Sequence, residues 1–187
     1  IWNAFRLVSG WNVDANAQQP ESAEVAVKWF NAMLAKVSAE IEDLLSKYRL
    51  SEALMAIYKL FWDDFCAWYL EMVKPAYGAG IDPQTYKATK GYFDSLLRIL
   101  HPFMPFITEE LWQNLEQRKP GDTIMFQNVA AGEKYDAALL EQFENASQIV
   151  MNVRNIRQSK QISPKESLEI FAKIPYNRSM DAVIMKL

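Results

Sequence analysis

One cysteine and one histidine serve all 187 residues. Cys66 has no second thiol to pair with, so a disulfide framework within the chain is excluded, which suits a reducing compartment. His101 and Cys66 lie far apart and cannot supply the clustered ligands of the common metal sites, and no base stands near Cys66 to activate it. Six glycines, scattered, build neither of the usual phosphate-cradling loops. Uncharged runs are all too short to span a bilayer and no signal peptide is recognisable, so the expected setting is the cytoplasm, away from membranes. The adjacent carboxylates Asp63–Asp64 and Glu109–Glu110 would point about 100° apart on a helix, so neither pair converges on one site. No residue is therefore assigned a catalytic, metal-ligating or cofactor-binding role, and the chain by itself is not expected to catalyse a reaction.

What is present is apolar and aromatic: 50% hydrophobic and 13% aromatic residues, enough for one sizeable core with a small additional piece. The net charge of −3 hides an asymmetry. Residues 1–146 carry 13 basic against 20 acidic side chains, whereas residues 147–187 carry 7 against 3. An acidic body with a basic end is not a blanket polyanion binder, and contact with RNA would have to use local patches. The chain opens on Ile1-Trp2 and stops in the apolar "DAVIMKL", which suggests a piece of something longer.

Between these ends the pattern is helical. Apolar residues from Val25 through Trp29, Phe30, Val37, Ile41 and Leu44 keep helical spacing over more than six turns, which predicts a long amphipathic helix over 25–48. Ser51 is a candidate cap for a second helix running to Pro75, with Leu54, Ile57, Tyr58, Phe61, Phe65, Trp68 and Tyr69 turned inward and Trp62 read as packing. Asp82-Pro83 predicts the start of a third, since proline at the first helical position loses a donor that would be unpaired anyway. "LHPFMPFITEELWQNL" (100–115) then reads as a rigid corner: His101-Pro102 ends one helix, Pro105 opens the next, and Phe103 and Phe106 are available to plug the turn. A short extended piece is expected at "IMFQNV". Asp136 is the expected cap of a last long helix, with Phe143, Ile149, Val150, Val153 and Ile156 on its face. "LEIFAKI" (168–174) alternates like a half-buried strand. The expected fold is all-α, an up-and-down helical bundle followed by the start of a small α/β piece. Its expected divisions are residues 1–20 as helix and linker, 21–150 as the bundle, and 151–187 as the basic helix end and C-terminal piece.

Two spots carry binding chemistry. "SKYRLSE" puts Lys47, Tyr48 and Arg49 at a helix–helix junction, where an aromatic beside cations suits a splayed base and its phosphate. "VRNIRQSK" puts Arg154 and Arg157 on one helix face with Lys160 a turn further, which is equally the pattern of a solvated face.

These segments occur in a familiar order. "FWDDFCAWYLEMVKP" (61–75), "LHPFMPFITEELWQ" (100–113) and "VRNIRQSKQISP" (153–164) resemble the C-terminal half of the valyl-tRNA synthetases, and "IWNAFRLV" is similar to the helix that follows their catalytic half. The middle motif also occurs, more loosely, in isoleucyl and leucyl enzymes; its pairing with "VRNIR" and the following "ISP" points to the valine family. Ala67 departs from the Asp usual before the Trp-Tyr pair. The resemblance implies a helical anticodon-binding domain, reading chiefly the middle A and third C of the valine anticodon. It implies a whole enzyme that joins valine to valine tRNA with ATP and Mg2+, those cofactors held outside this chain together with the catalytic and editing domains, and a monomer. The implied tRNA-binding residues are Lys36, Tyr48 and Arg49 on the outer face and end of the first long helix, with Arg154, Arg157 and Lys160 along the tRNA's inner side. The rival readings are the equivalent region of the isoleucine enzyme and a helical protein-interaction module whose groove accepts an amphipathic helix.

Overall fold

Helix α2 (Glu21–Ser46) is the spine. Its 26 residues make a rod about 39 Å long, opened by Glu21 and Glu24 at the positive end of its dipole. Ala23, Ala26, Phe30, Val37, Ile41 and Leu44 form its buried stripe. In the computed structural model, which describes residues 1–129, 134–163, 166–171 and 178–187, every other helix is arranged about this rod or its partners. Helix α3 (Leu50–Lys59) folds straight back along α2 and continues, without a break, through a π-helical stretch (Leu60–Tyr69) into α4 (Leu70–Val73). Helix α3 begins at Leu50 with Arg49 as its cap position, so Ser51 is not the cap the sequence suggested. The widened turn coincides with the bulkiest run of the core, where Phe61, Phe65 and Tyr69 pack in succession against Phe30, Tyr92 and Phe93. Long π runs are uncommon, and the sequence carries no separate signal for this one.

Helix α5 (Pro83–Leu100) starts as expected: the buried Asp82 carboxylate accepts a 2.8 Å bond from the Thr85 N–H, and Pro83 occupies the first position. Asp82→Ala is expected to cost about 1–2 kcal/mol of stability in urea unfolding, because this cap is buried and its loss orphans a buried donor. The chain ahead of it is pinned too. The linker after α1 (Trp2–Ser9) crosses to Ile81, whose N–H donates to Asn12 O at 2.8 Å while the Asp14 N–H donates to Ile81 O at 3.0 Å. A side chain at Gly80 would come within 2.8 Å of Asp14 Cβ, so this crossing needs glycine.

The proline corner holds between α5 and α6 (Pro105–Leu115). The Met104 N–H donates to Leu100 O at 3.1 Å. The Thr108 hydroxyl donates to Met104 O at 2.8 Å and receives His101 Nδ1 at 2.7 Å. Since that hydroxyl proton is spent on a carbonyl, His101 must present Nδ1–H to it. His101 therefore clamps the next helix instead of bonding the last carbonyls of its own. Phe103 is half-buried as the plug, but Phe106 is 90% exposed, because Pro105 turns the first residues of α6 outward.

"IMFQNV" departs from expectation as well: Ile124–Phe126 form a short 3-10 turn, since Glu109 of α6 gathers the Thr123 hydroxyl (2.6 Å) and the Ile124 N–H (3.1 Å) onto one carboxylate oxygen. Burial pushes Glu109 up, but these bonds and one from Gln113 outweigh it and hold the carboxyl below its ordinary range. Helix α7 (Ala137–Lys160) is capped by Asp136 as expected, joins the core through Phe143, stacked on Trp29 of α2, and Ala146, and buries Ile149 and Val150 further along; Ile156 in its last third is exposed. The expected boundary at residue 150 falls within this helix. Helix α8 (Asp181–Lys186) packs on α2 and α7. Leu168–Phe171, the described part of the expected strand, lack regular structure, there being no strand beside them among the described residues to complete a ladder; residues 172–174 lie outside the described residues. The fold is all-α, a helical bundle.

Candidate nucleic-acid interface

The turn between α2 and α3 ends α2 in a left-handed residue. The Arg49 N–H donates to Leu44 O at 2.9 Å and the Tyr48 N–H to Leu45 O at 3.0 Å, the paired bonds that close a helix when the residue past its cap adopts a left-handed conformation. Glycine is the usual occupant of that place; here it is Tyr48, at φ 58° and with its ring 89% exposed. A side chain in this region costs about 1–2 kcal/mol relative to the right-handed form. The exposed side chain does not offset that cost by burial. On either side the cations are occupied. Lys47 Nζ lies 2.7 Å from Asp43, and the Arg49 guanidinium grips Glu52 with two nitrogens, which pushes Arg49 above its ordinary pKa through the Glu52 hydrogen bond and charge.

The second implied group lies at the other end of the bundle. Arg154 places its guanidinium 5.6 Å from the centre of the Trp68 ring. Arg157 donates to Ser163 O (2.7 Å) and Glu166 O (2.8 Å), clasping the chain that leaves α7. Lys160 is exposed at the helix terminus, just ahead of Gln161, the other left-handed residue outside glycine among those described. Arg154, Arg157 and α8 border one groove, and Lys186 of α8 also lines a second pocket together with Ser22 and Ala23 at the start of α2. Tyr48 lies past the far end of that helix. Five of the six implied residues therefore form two groups, not one patch.

Lys36 belongs to neither group. It stands mid-way along α2, and its charge is felt at Asp64 of the π stretch together with those of Lys59, Asp63 and Glu144 of α7. Asp64 is pushed up to about 6, chiefly by burial, with Lys59 and Lys36 drawing it down and Asp63 and Glu144 raising it further. The folded protein thus binds a proton here more tightly than the unfolded chain. Stability attributable to Asp64 falls as pH rises between its unfolded value near 3.8 and about 6, and stays lower above that. Asp64→Asn is expected to raise stability by about 1 kcal/mol at pH 7, discounted for partial exposure, and by nothing near pH 3, as unfolding at the two pH values will read.

One surface feature escaped sequence reasoning. Leu54, Tyr58 and Trp62 were read as inward or packing, yet they form an exposed stripe with Leu50, each four residues from the next; Tyr58 and Trp62 are 54% and 55% exposed. The buried stripe is the neighbouring one, Ala53, Ile57, Phe61, Phe65 and Tyr69. Two apolar rows side by side were the available signal, since only one of them fits against α2. By contrast Trp68 is half-buried and Trp112 fully buried, as packing residues should be. Burial also pushes the Cys66 thiol up to about 11, which leaves it inert as a nucleophile at neutral pH.

Comparison with known proteins gives this surface its context. Residues 27–172 match the family described as the anticodon-binding domain of tRNA ligase. The whole chain is 56% identical to a valine–tRNA ligase of Parabacteroides distasonis and 54% identical to one of Porphyromonas gingivalis, covering 21% of each. A valine–tRNA ligase of Fusobacterium nucleatum is 36% identical over 91% of the chain and 20% of its own length. The chain thus spans about a fifth of the curated relatives it matches. With its helices arranged about α2 and the match running from that helix past the end of α7, the chain belongs to the family of anticodon-binding domains of tRNA ligases.

Proposed function

We propose that this chain is the anticodon-binding region of a valine–tRNA ligase, and that its partner is valine tRNA. The observation that carries the reading is Tyr48: a fully presented ring, in a conformation that costs stability, at a helix junction beside Arg49. Unpaired loop bases are recognised by stacking and by their hydrogen-bonding edges, with cations on the backbone. Tyr48 offers the stacking face, and Arg49 the planar fork for a phosphate or base edge once Glu52 is displaced. At the opposite end Arg154 and Lys160 would meet the phosphates of the tRNA's inner side, while Arg157 shapes the segment beside them through Ser163 and Glu166. Lys36, mid-way along α2, would meet the backbone between the two ends.

An acidic bundle with few cations favours recognition over indiscriminate attraction, because phosphate contacts alone give steeply salt-dependent, sequence-blind binding. ATP and Mg2+, which the resemblance implies for the whole enzyme, are assigned in this reading to the catalytic part of that enzyme. In this reading valine activation, transfer and editing belong to the remainder of a cytoplasmic, monomeric enzyme. Among the described residues no helix is long and apolar enough to cross a membrane. The isoleucine alternative is separated by a direct comparison: valine tRNA is expected to bind more tightly than isoleucine tRNA by gel-shift titration, and the reverse order would reassign the specificity.

A further inference from the structure

The exposed row on α3 starts where the Tyr48 junction ends. Leu50 follows Arg49 directly, and Leu54, Tyr58 and Trp62 continue along one side of the helix and into the π stretch for about 18 Å. The Tyr58 and Trp62 rings are parallel to within 9° with centroids 6.2 Å apart, and both are more than half exposed. Neither side chain belongs to the buried core cluster, whose ring contacts run through Phe61, Phe65 and Tyr69. The row is flanked by Arg49 at its start and Lys59 beside Tyr58, while the acids near it, Glu52 and Asp63, keep it free of strong net charge.

We propose that Tyr58 and Trp62 form a second stacking platform, continuous with Tyr48, that receives an unpaired base of the same RNA loop. The proposal rests on the tRNA-binding reading above and extends it from one ring to a row of three. Three features favour a nucleobase over an apolar protein helix. Two of the row's four members are aromatic and more than half exposed, and every base has a π-face that a ring can accept regardless of its sequence. The rings lie parallel with centroids 6.2 Å apart, so a base can continue the stack on an outward ring face, a contact that an aliphatic helix face does not reproduce. Arg49 opens the row, so the backbone of a splayed nucleotide finds a cation at its start once Glu52 is displaced, with Lys59 on the adjoining side of the helix.

The test is titration of the protein with an anticodon stem–loop RNA bearing the valine anticodon, at three salt concentrations. Parent, Tyr48→Ala, Tyr58→Ala, Trp62→Ala and Trp62→Phe are compared. Because both platform side chains are over half exposed, these substitutions spare the core, and thermal melting checks that each variant remains folded. Trp62→Ala and Tyr58→Ala are each expected to weaken binding by about 5- to 100-fold, with the slope against salt unchanged because no phosphate contact is lost. Trp62→Phe, which keeps a π-face, is expected to retain most of the affinity. If Tyr48→Ala weakens binding while the two platform alanines bind as the parent does, the platform is refuted and the anticodon reading stands. If none of the three weakens it, both fall. If Trp62→Phe loses as much as Trp62→Ala, stacking is not what Trp62 provides, and the proposal is overturned.

Discussion

Asp94→Ala is expected to lower the unfolding free energy by about 3–5 kcal/mol. Asp94 sits on α5, and its carboxylate accepts two hydrogen bonds and pairs with a third group by charge. Trp112 Nε1 donates to Oδ1 at 2.7 Å, Arg118 Nη2 reaches the same oxygen at 3.1 Å, and Arg98 Nε lies 2.6 Å from Oδ2. Trp112 is buried, and its ring carries the Arg118 guanidinium 3.8 Å from its centre. Removing the carboxylate strands an indole N–H inside the core and leaves two largely buried guanidinium groups without their main counter-charge. The penalty is then desolvation of the survivors, not the modest worth of a surface ion pair. Asp94→Asn, which keeps an acceptor for Trp112 but loses the charge, is expected to cost roughly half as much. Urea unfolding of the three proteins decides it: a loss under about 1 kcal/mol for Asp94→Ala would mean that water satisfies these donors and that the network does not anchor α6 to α5.

Tyr48 is expected to separate stability from binding. Tyr48→Gly relieves a left-handed side chain at a helix end and should raise stability by about 0.5–1 kcal/mol, the gain being trimmed by glycine's greater freedom in the unfolded chain. The same variant should bind valine tRNA about 5- to 100-fold more weakly, because the stacking face is gone. Tyr48→Ala loses the ring without removing the strain, so it should weaken binding as much and gain no stability. A purely structural tyrosine would behave otherwise: both substitutions would leave tRNA affinity alone.

The helices and their breaks were legible because each rests on local chemistry. Asp82-Pro83 and Asp136 cap helices as expected, and the two prolines of 100–115 bend the chain where they should. What was not legible depends on contacts distant in sequence. The 3-10 turn at Ile124–Phe126 follows from Glu109, fifteen residues earlier, and the π stretch accompanies ring packing against α2 and α5. The same limit hid the exposed row of α3: Tyr58 and Ile57 are equally plausible core residues until the position of α2 chooses between their faces. For the candidate site, Tyr48 and Arg49 were visible as a cation–aromatic junction. The left-handed backbone that gives Tyr48 its significance was not visible, since nothing in "SKYRLSE" marks where glycine would normally stand. Arg157 was visible as a charge, but its engagement with two carbonyls of the following segment could only be seen in three dimensions.

The most direct measurement is the affinity of the protein for valine tRNA beside the same tRNA with the middle A of its anticodon changed, at low and at moderate salt. The account predicts that the single base change weakens binding by about 5- to 100-fold at both salt concentrations, as the loss of one stacked or edge-read base should. Equal binding of the two tRNAs, with affinity collapsing as salt rises, would contradict it: the protein would then hold only the phosphate backbone, and Tyr48 would not be a reader of the anticodon.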